Sequence, residues 1–207
     1  MSKVWTPIPP PAREFKEKTL KELSKTASFI YQVGESTLLR KKSLLVNVAS
    51  IPFPEFQAKI SYLRKCLVDH RHLTGKGRGI AAVQVGIPEQ FLIFYRENKF
   101  VTMINPKVIS RSREMYVYPE ICMSANNLIA SVIRPSWVEV EYRDEAGALC
   151  VWKVKATAKQ GMIENRIIQH EIDHLGGIIN IDLVNSSELT FVSNAKFYED
   201  TVFKKIT

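Results

Sequence analysis

Two histidines that stand four residues apart, in the pentapeptide His170-Glu171-Ile172-Asp173-His174, constrain this chain more than any other feature. Residues i and i+4 share one face of a helix, so His170 and His174 can bind the same metal ion. Glu171 follows the first histidine, where a carboxylate can accept a proton from a metal-bound water. The pattern is typical of H-E-x-x-H metallohydrolases. The alternative interpretation is a charged surface helix that carries two solvated histidines.

The residues around this pentapeptide predict the helix that the pattern needs. Apolar side chains recur there at helical spacing, and two glycines follow where a helix would end. These residues are Ile163, Ile167, Ile168, Ile172 and Leu175, then Gly176 and Gly177. We therefore predict a helix over residues 158–175.

A catalytic metal site of this kind needs a third protein ligand and one open position. No histidine follows His174, and Asn180 stands where the long metzincin motif has its third histidine. A downstream glutamate would have to be Glu188 or Glu199, which both lie near a polar tail. The remaining candidates lie upstream and are His70, His72, Cys66, Cys122 and Cys150.

Among these candidates Cys122 is favoured, because a thiolate is a good ligand for a borderline metal. It lies in a short apolar-centred segment after the strand-like residues 115–118. Cys66 falls in an amphipathic helix predicted over residues 55–73, and Cys150 falls in a predicted strand. We interpret both as core residues. His70 and His72 point in different directions on their helix and are interpreted as solvated.

Residues 77–86, GRGIAAVQVG, form a third distinctive segment. Glycines let a backbone approach a ligand closely. The segment has no G-K-[ST] and no third glycine, so it is not a phosphate-binding loop. Taken alone, it is best interpreted as a turn that enters a buried strand.

Together, these three segments resemble the peptide deformylase family in their order and spacing. That family carries G-φ-G-φ-A-A-x-Q, E-G-C-φ-S and H-E-φ-D-H, where φ is apolar. This chain has GRGIAAVQ at 77–84, EICMS at 120–124 and HEIDH at 170–174. Similar short segments occur at 38–42, 105–106, 134–135 and 181–182, so the resemblance covers about residues 34–184.

The resemblance implies a reaction and a metal centre. The ligands would be Cys122, His170 and His174, and Glu171 would act as general base and acid. The family commonly uses one divalent ion, with Fe²⁺ as the expected native metal and Zn²⁺, Ni²⁺ or Co²⁺ as substitutes. Its reaction removes the formyl group from the N-terminal methionine of new proteins in bacteria and organelles.

Further residues are assigned by the same resemblance. The Gln84 side chain and the backbone N–H of Met123 would face the substrate carbonyl oxygen. Glu120 and Arg134 are expected to pair, since a buried bidentate pair would hold the Cys122 segment in place. The expected substrate contacts are Gly79, Ile121, Arg166 and Ile167.

Four positions depart from the family pattern. Arg78 replaces an apolar residue in the first motif, and Ile121 replaces the glycine beside the ligand cysteine. Arg166 lies one turn before His170, on a face that in relatives helps line the methionine pocket, unless it extends out to solvent. Ile129 stands where many bacterial members carry an arginine.

The departures concern positions that face the substrate, while the ligands and the base are kept. We therefore expect a competent metal centre with an altered or narrowed substrate preference. The alternative is a catalytically weak or inactive binding protein derived from a deformylase. A zinc endopeptidase ranks third, because no convincing downstream ligand is present.

The rest of the chain predicts an α+β fold, in which antiparallel sheets and hairpins pack around the metal-binding helix that carries HEIDH. Strands are expected at 91–95, 101–109, 138–143 and 149–155. Residues 1–33 are interpreted as an N-terminal extension with a short helix at 14–25, residues 34–184 as the catalytic domain and residues 185–207 as a C-terminal tail. Aromatic residues of the tail that could pack onto the domain are Phe191, Phe197, Tyr198 and Phe203.

The charge composition of the chain limits the kinds of binding partner that we expect. Lys and Arg number 29 against 21 Asp and Glu, a net charge of +8, but the charges are dispersed and favour a solvated surface over a specific nucleic-acid site. No apolar run is long enough to span a membrane. The resemblance implies N-formylated nascent peptides as partners, with a ribosome contact open by analogy, and we expect a monomer. The extension and the basic charge favour a mitochondrion or another organelle over the cytoplasm.

Overall fold

The computed structural model describes residues 29–154, 159–191 and 204–206, which form two antiparallel sheets and two α-helices. Helix α1 is Pro54–Thr74 and helix α2 is Lys159–Leu175. The strands are β1 Gly79–Ala81, β2 Phe91–Arg96, β3 Lys99–Arg111, β4 Met115–Cys122, β5 Ala125–Pro135, β6 Val138–Arg143, β7 Leu149–Lys153, β8 Thr190–Phe191 and β9 Lys204–Ile206. The predicted α+β class is confirmed.

The larger sheet has the strand order β1-β2-β3-β6-β7 and is covered on both faces near β2. Successive side chains of a strand point to opposite faces. Phe91 and Ile93 accordingly pack in one apolar cluster with residues of α1, while Leu92 and Phe94 pack in a second cluster with residues of α2. Helix α2 is therefore held directly against β1 and β2.

The smaller sheet has the order β8-β5-β4-β9, and its centre is the hairpin of β4 and β5. The buried residues of β4 alternate, with Tyr118, Glu120 and Cys122 all fully buried. Because the strand period is two, these three side chains share one face. The hairpin thus presents a carboxylate and a thiol side by side to the interior.

Both helices end as their glycines predict. Gly75 has φ 69° after α1 and donates its N–H to the Arg71 carbonyl at 2.8 Å. Gly177 has φ 81° just after α2, a left-handed conformation that suits glycine. The predicted helices over 55–73 and 158–175 are therefore confirmed, and each predicted strand is found with bounds that differ by a few residues. None of the described helices is long and apolar enough to cross a membrane.

Two expectations about burial are wrong. Cys66 is buried in the core as predicted, but Cys150 is only partly buried, because β7 is the edge of its sheet. Phe191 lies in β8, which pairs with β5, but its side chain is 70% exposed, so the ring does not pack against the core. The helix expected at 14–25 and the other three tail aromatics lie outside the described residues. The division of the chain at residues 33 and 184 stays a prediction.

Asn165 joins α2 to the larger sheet and gives a test of this packing. It is fully buried, its Oδ1 accepts the Val138 N–H at 2.9 Å, and its Nδ2 donates to the carbonyls of Val154 at 3.1 Å and Gly161 at 2.9 Å. Asn165→Ala leaves buried backbone groups without partners, so the free energy of unfolding should fall by about 1–3 kcal/mol. Chemical denaturation measures this. The exposed control Lys107→Ala should change it by less than about 0.5 kcal/mol, and an equal effect of both variants would contradict the assignment.

Candidate metal centre

The fold brings Cys122, His170 and His174 together, and their ligand atoms all lie within 4.8 Å of one another. The Cys122 Sγ is 3.1 Å from the His174 Nε2, and the two imidazole rings are 5.0 Å apart. All three residues are buried. One thiol and two imidazoles are a donor set that suits a borderline divalent metal. Within the described residues, no other group of His, Cys, Asp and Glu has this geometry.

The groups around His170 favour positive charge at this site. The Nδ1 of His170 lies 2.8 Å from the Glu120 Oε2, an arrangement that turns the Nε2 of a ligating histidine toward its metal. Burial lowers the pKa of His170, but hydrogen bonds with Cys122 and Glu120 outweigh it and raise the pKa to about 10. The surroundings therefore stabilise positive charge on this ring.

A charged network braces the ligands from behind. Arg134 donates to both carboxylate oxygens of Glu120, at 2.5 and 3.0 Å, and both side chains are buried. Burial raises the pKa of Glu120, but the Arg134 charge and the His170 hydrogen bond prevail and lower it to about 2. The predicted pairing of Glu120 and Arg134 is confirmed, and Glu120 is a carboxylate at neutral pH.

Three residues of this network were not assigned from the sequence. Asp173, inside HEIDH itself, accepts from Arg134 at 2.8 Å. Asn180 donates to the Glu120 carbonyl at 3.0 Å. Ser124 donates its backbone N–H toward the Cys122 Sγ at 3.3 Å. Asp173 and Ser124 lie within the HEIDH and EICMS motifs, and that position was the sequence signal that could have identified them. Asn180 was noted only because it occupies the position of the third histidine in the metzincin motif.

Gln84 reaches the same centre from the larger sheet. Its Oε1 accepts the Ala81 N–H at 2.8 Å, and its Nε2 donates to the Ser124 Oγ at 3.1 Å and lies 3.8 Å from the Cys122 Sγ. The side chain is 1% exposed. With its oxygen held by the backbone, the amide nitrogen is aimed at the metal centre and can act as a donor there.

Glu171 is poised to transfer a proton. It is buried, and its Oε2 has no hydrogen-bond partner among the described residues. Burial raises the pKa of Glu171 to about 7, against the opposing charges of His170 and Arg166. A pKa near the operating pH suits a group that must both take up and release a proton. A Cβ atom at Gly79 would lie 2.7 Å from the Glu171 Oε1, so only glycine allows this close approach.

One cavity of about 490 Å³ opens onto these groups. All four residues that were expected to contact the substrate line it: Gly79, Ile121, Arg166 and Ile167. The lining also includes Gln84, Met123, His170 and Glu171. Their roles in substrate binding stay predictions. His72 is exposed as expected, but His70 is half-buried and lines the cavity, so the prediction that it is solvated is wrong.

Two other expectations need correction. Arg166 does not extend out to solvent: it is half-buried in the cavity wall, and its Nε is buried. Ile129 is buried in β5 and does not line the cavity, so this departure from the family pattern does not touch the site. Glu188, a downstream ligand that an endopeptidase would need, is exposed and bonds to the Asn185 N–H.

Replacement of the thiol tests the ligand set. Cys122→Ser removes the soft ligand, so the metal content of protein purified without oxygen should fall well below that of the unmodified chain. Elemental analysis by mass spectrometry gives the metal per chain. Cys150→Ser, at a half-buried position outside the cavity, is the matched control and should keep its metal. Equal metal contents in the two variants would show that Cys122 is not a ligand.

The network behind the ligands makes a separate prediction. Arg134→Met leaves the buried Glu120 carboxylate without its ion pair, and we expect metal affinity to fall about 10–100-fold. Competition with a fluorescent chelator measures the dissociation constant. Denaturation of the metal-free proteins shows how much of the loss comes from the fold. An unchanged dissociation constant would mean that Arg134 only stabilises the hairpin.

Comparison with known proteins agrees with this geometry. The polypeptide deformylase family model matches residues 28–190. The peptide deformylase of Rhizobium meliloti is 38% identical over 146 residues, which cover 68% of this chain and 80% of the relative. One from Prochlorococcus marinus is 31% identical over 180 residues, covering 83% and 81%.

Solved structures show the same fold. A peptide deformylase from Synechococcus elongatus, in complex with actinonin, superposes with a TM-score of 0.67 at 28% identity, covering 84% of this chain and 86% of that one. A class I type b enzyme from Acinetobacter baumannii gives the same TM-score at 23% identity, covering 77% and 99%. The chain thus belongs to the peptide deformylase family, metallohydrolases that use a divalent metal ion to remove the N-formyl group from nascent peptides.

Proposed function

We propose that this chain deformylates N-terminal formylmethionine with one Fe²⁺ ion held by Cys122, His170 and His174, and that Zn²⁺, Ni²⁺ or Co²⁺ can replace it. The observation that carries the proposal is that Glu171 and Gln84 line the same cavity as the ligand His170. A base, a hydrogen-bond donor and a metal-binding set are the groups that hydrolysis of a formamide needs.

Each group has a place in the reaction. When bound, the metal ion supplies a more acidic water and a positive charge for the formyl oxygen. Glu171 accepts the proton of the attacking water at its Oε2, which has no hydrogen-bond partner among the described residues. As the C–N bond breaks, Glu171 returns this proton to the departing amine. The products are formate and a free amino terminus.

The second contribution is to the oxygen of the formyl group. Negative charge develops there during attack, and the Gln84 Nε2 and the Met123 backbone N–H are the expected donors. Because Gln84 is fixed by Ala81 and Ser124, its amide needs little reorganisation to donate. A buried donor of this kind acts more strongly than it would in water.

The base and the donor can be tested together. Glu171→Gln should retain the metal and lose about 10²–10⁴-fold in kcat, since the proton acceptor is gone. Gln84→Ala should lose about 10²–10³-fold in kcat, since one oxygen donor is gone. Release of formate from formyl-Met-Ala-Ser, coupled to formate dehydrogenase, measures both.

Metal content is the control for these variants, and both should match the unmodified protein. If Glu171→Gln retains normal turnover, Glu171 is not the base and the mechanism fails. If the unmodified protein with Fe²⁺ or Co²⁺ releases no formate from any formyl peptide, the alternative of an inactive binding protein replaces the enzyme.

The setting of the reaction is also a proposal. We propose that the protein acts as a monomer on nascent chains, with a contact to the ribosome, in a mitochondrion or another organelle; the cytoplasm is the alternative. The net charge of +8 supports attraction to ribosomal RNA, since basic proteins associate with polyanions. Sedimentation of the protein with purified ribosomes at two salt concentrations would test the contact.

A further inference from the structure

Two arginines of the cavity form no ion pair with any residue that the structure describes. Arg166 projects from α2 and is half-buried in the wall, and Arg78 is exposed where the chain enters β1. Neither guanidinium forms a hydrogen bond or an ion pair with any residue that the structure describes, and the buried Nε of Arg166 is unsatisfied. A buried donor without an acceptor costs about 1–3 kcal/mol, so a ligand that supplies one gains this energy.

Four other arginines that the structure describes form ion pairs with carboxylates. The ion pairs join residues of separate elements, and several are shielded from solvent. They are Arg40 with Asp182, Arg64 with Glu145, Arg96 with Glu164, and Arg134 with Glu120 and Asp173. Arg78 and Arg166 differ from these arginines, because neither is paired with a carboxylate of the described residues, although the charges of Glu120 and Glu171 act on Arg166.

The charge of the cavity wall has one sign outside the metal centre. The basic residues that line it include Arg71, Lys76, Arg78 and Arg166, while Glu171 is the one acidic residue among the described residues of the lining. Burial lowers the pKa of Arg166; the charge of Glu120 opposes this, and the charges of Arg134 and Arg78 add to it. Two like charges that face one cavity repel each other, and an anion bound between them relieves that repulsion.

We propose that Arg78 and Arg166 bind a carboxylate of the substrate, so that the enzyme prefers formylated peptides with an acidic side chain at the second or third residue. The proposal rests on the deformylase function proposed above. A guanidinium binds a carboxylate through two parallel hydrogen bonds, which gives direction as well as charge. The cavity of about 490 Å³ is large enough for a few residues of an extended peptide.

Two matched pairs of C-terminally amidated peptides test this preference. Each pair differs only by Glu against Gln, at the second or third position of formyl-Met-Ala-Ser. At least one pair should favour Glu by about tenfold in kcat/KM, since a hydrogen bond to a charged group contributes about 1.5 kcal/mol. The preference should shrink at high salt, because Arg78 is exposed and its charge is screened.

Substitution of each arginine tests whether Arg78 and Arg166 cause the preference for Glu. Arg166→Gln and Arg78→Gln should each reduce it, while Arg113→Gln, an exposed arginine that does not line the cavity, should leave it unchanged. Arg78→Gln changes a surface residue, so it remains informative if Arg166→Gln fails to fold. A preference for Glu that persists in both cavity variants would overturn the proposal, as would agreement within about twofold in both pairs.

Binding separates this inference from the proposed reaction. Calorimetric titration of the same peptides into metal-loaded Glu171→Gln measures affinity without turnover. Tighter binding of a Glu peptide, together with no formate release by the unmodified protein, would refute the deformylase function but support the carboxylate site. Formate release with equal binding and turnover within both pairs would leave the function standing and refute the site.

Discussion

The buried carboxylate of Glu120 is the contact on which the rest of the site depends. It accepts two hydrogen bonds from Arg134, lies 2.8 Å from the His170 Nδ1, and its own backbone carbonyl accepts from Asn180. Since Cys122 shares its strand face, Glu120 links the β4 ligand to His170 on α2. A buried charge of this kind is stable only with its partners, so loss of one disturbs the whole centre.

The site lies where three parts of the fold meet. The β4–β5 hairpin supplies Cys122, helix α2 supplies the histidines and Glu171, and the segment after β1 supplies Gln84. Helix α2 packs against the larger sheet with its apolar face, which leaves the ligand face for the hairpin. Gly79 completes this arrangement, because a side chain there would collide with Glu171 and Ile167.

Periodicity accounts for what the sequence could predict. Spacing of i and i+4 placed His170 and His174 on one helical face, and alternation identified most strands. The third ligand was different, because five upstream residues were candidates; ligand chemistry favoured Cys122, and the family resemblance then assigned it. The contacts of Asp173 and Asn180 depend on how the hairpin meets the helix, which local pattern does not encode. Cys150 was misjudged for a similar reason: the edge position of β7 is a property of the sheet order.

The central claim is that one sulfur and two imidazole nitrogens from distant segments hold a single metal ion. X-ray absorption at the metal K-edge, on protein loaded with Co²⁺ without oxygen, measures these ligands directly. We predict one sulfur at about 2.3 Å and two nitrogens at about 2.0–2.1 Å, the distances typical of such ligands on a tetrahedral divalent ion. A spectrum with only nitrogen and oxygen neighbours would contradict the account, because it would remove Cys122 from the metal centre.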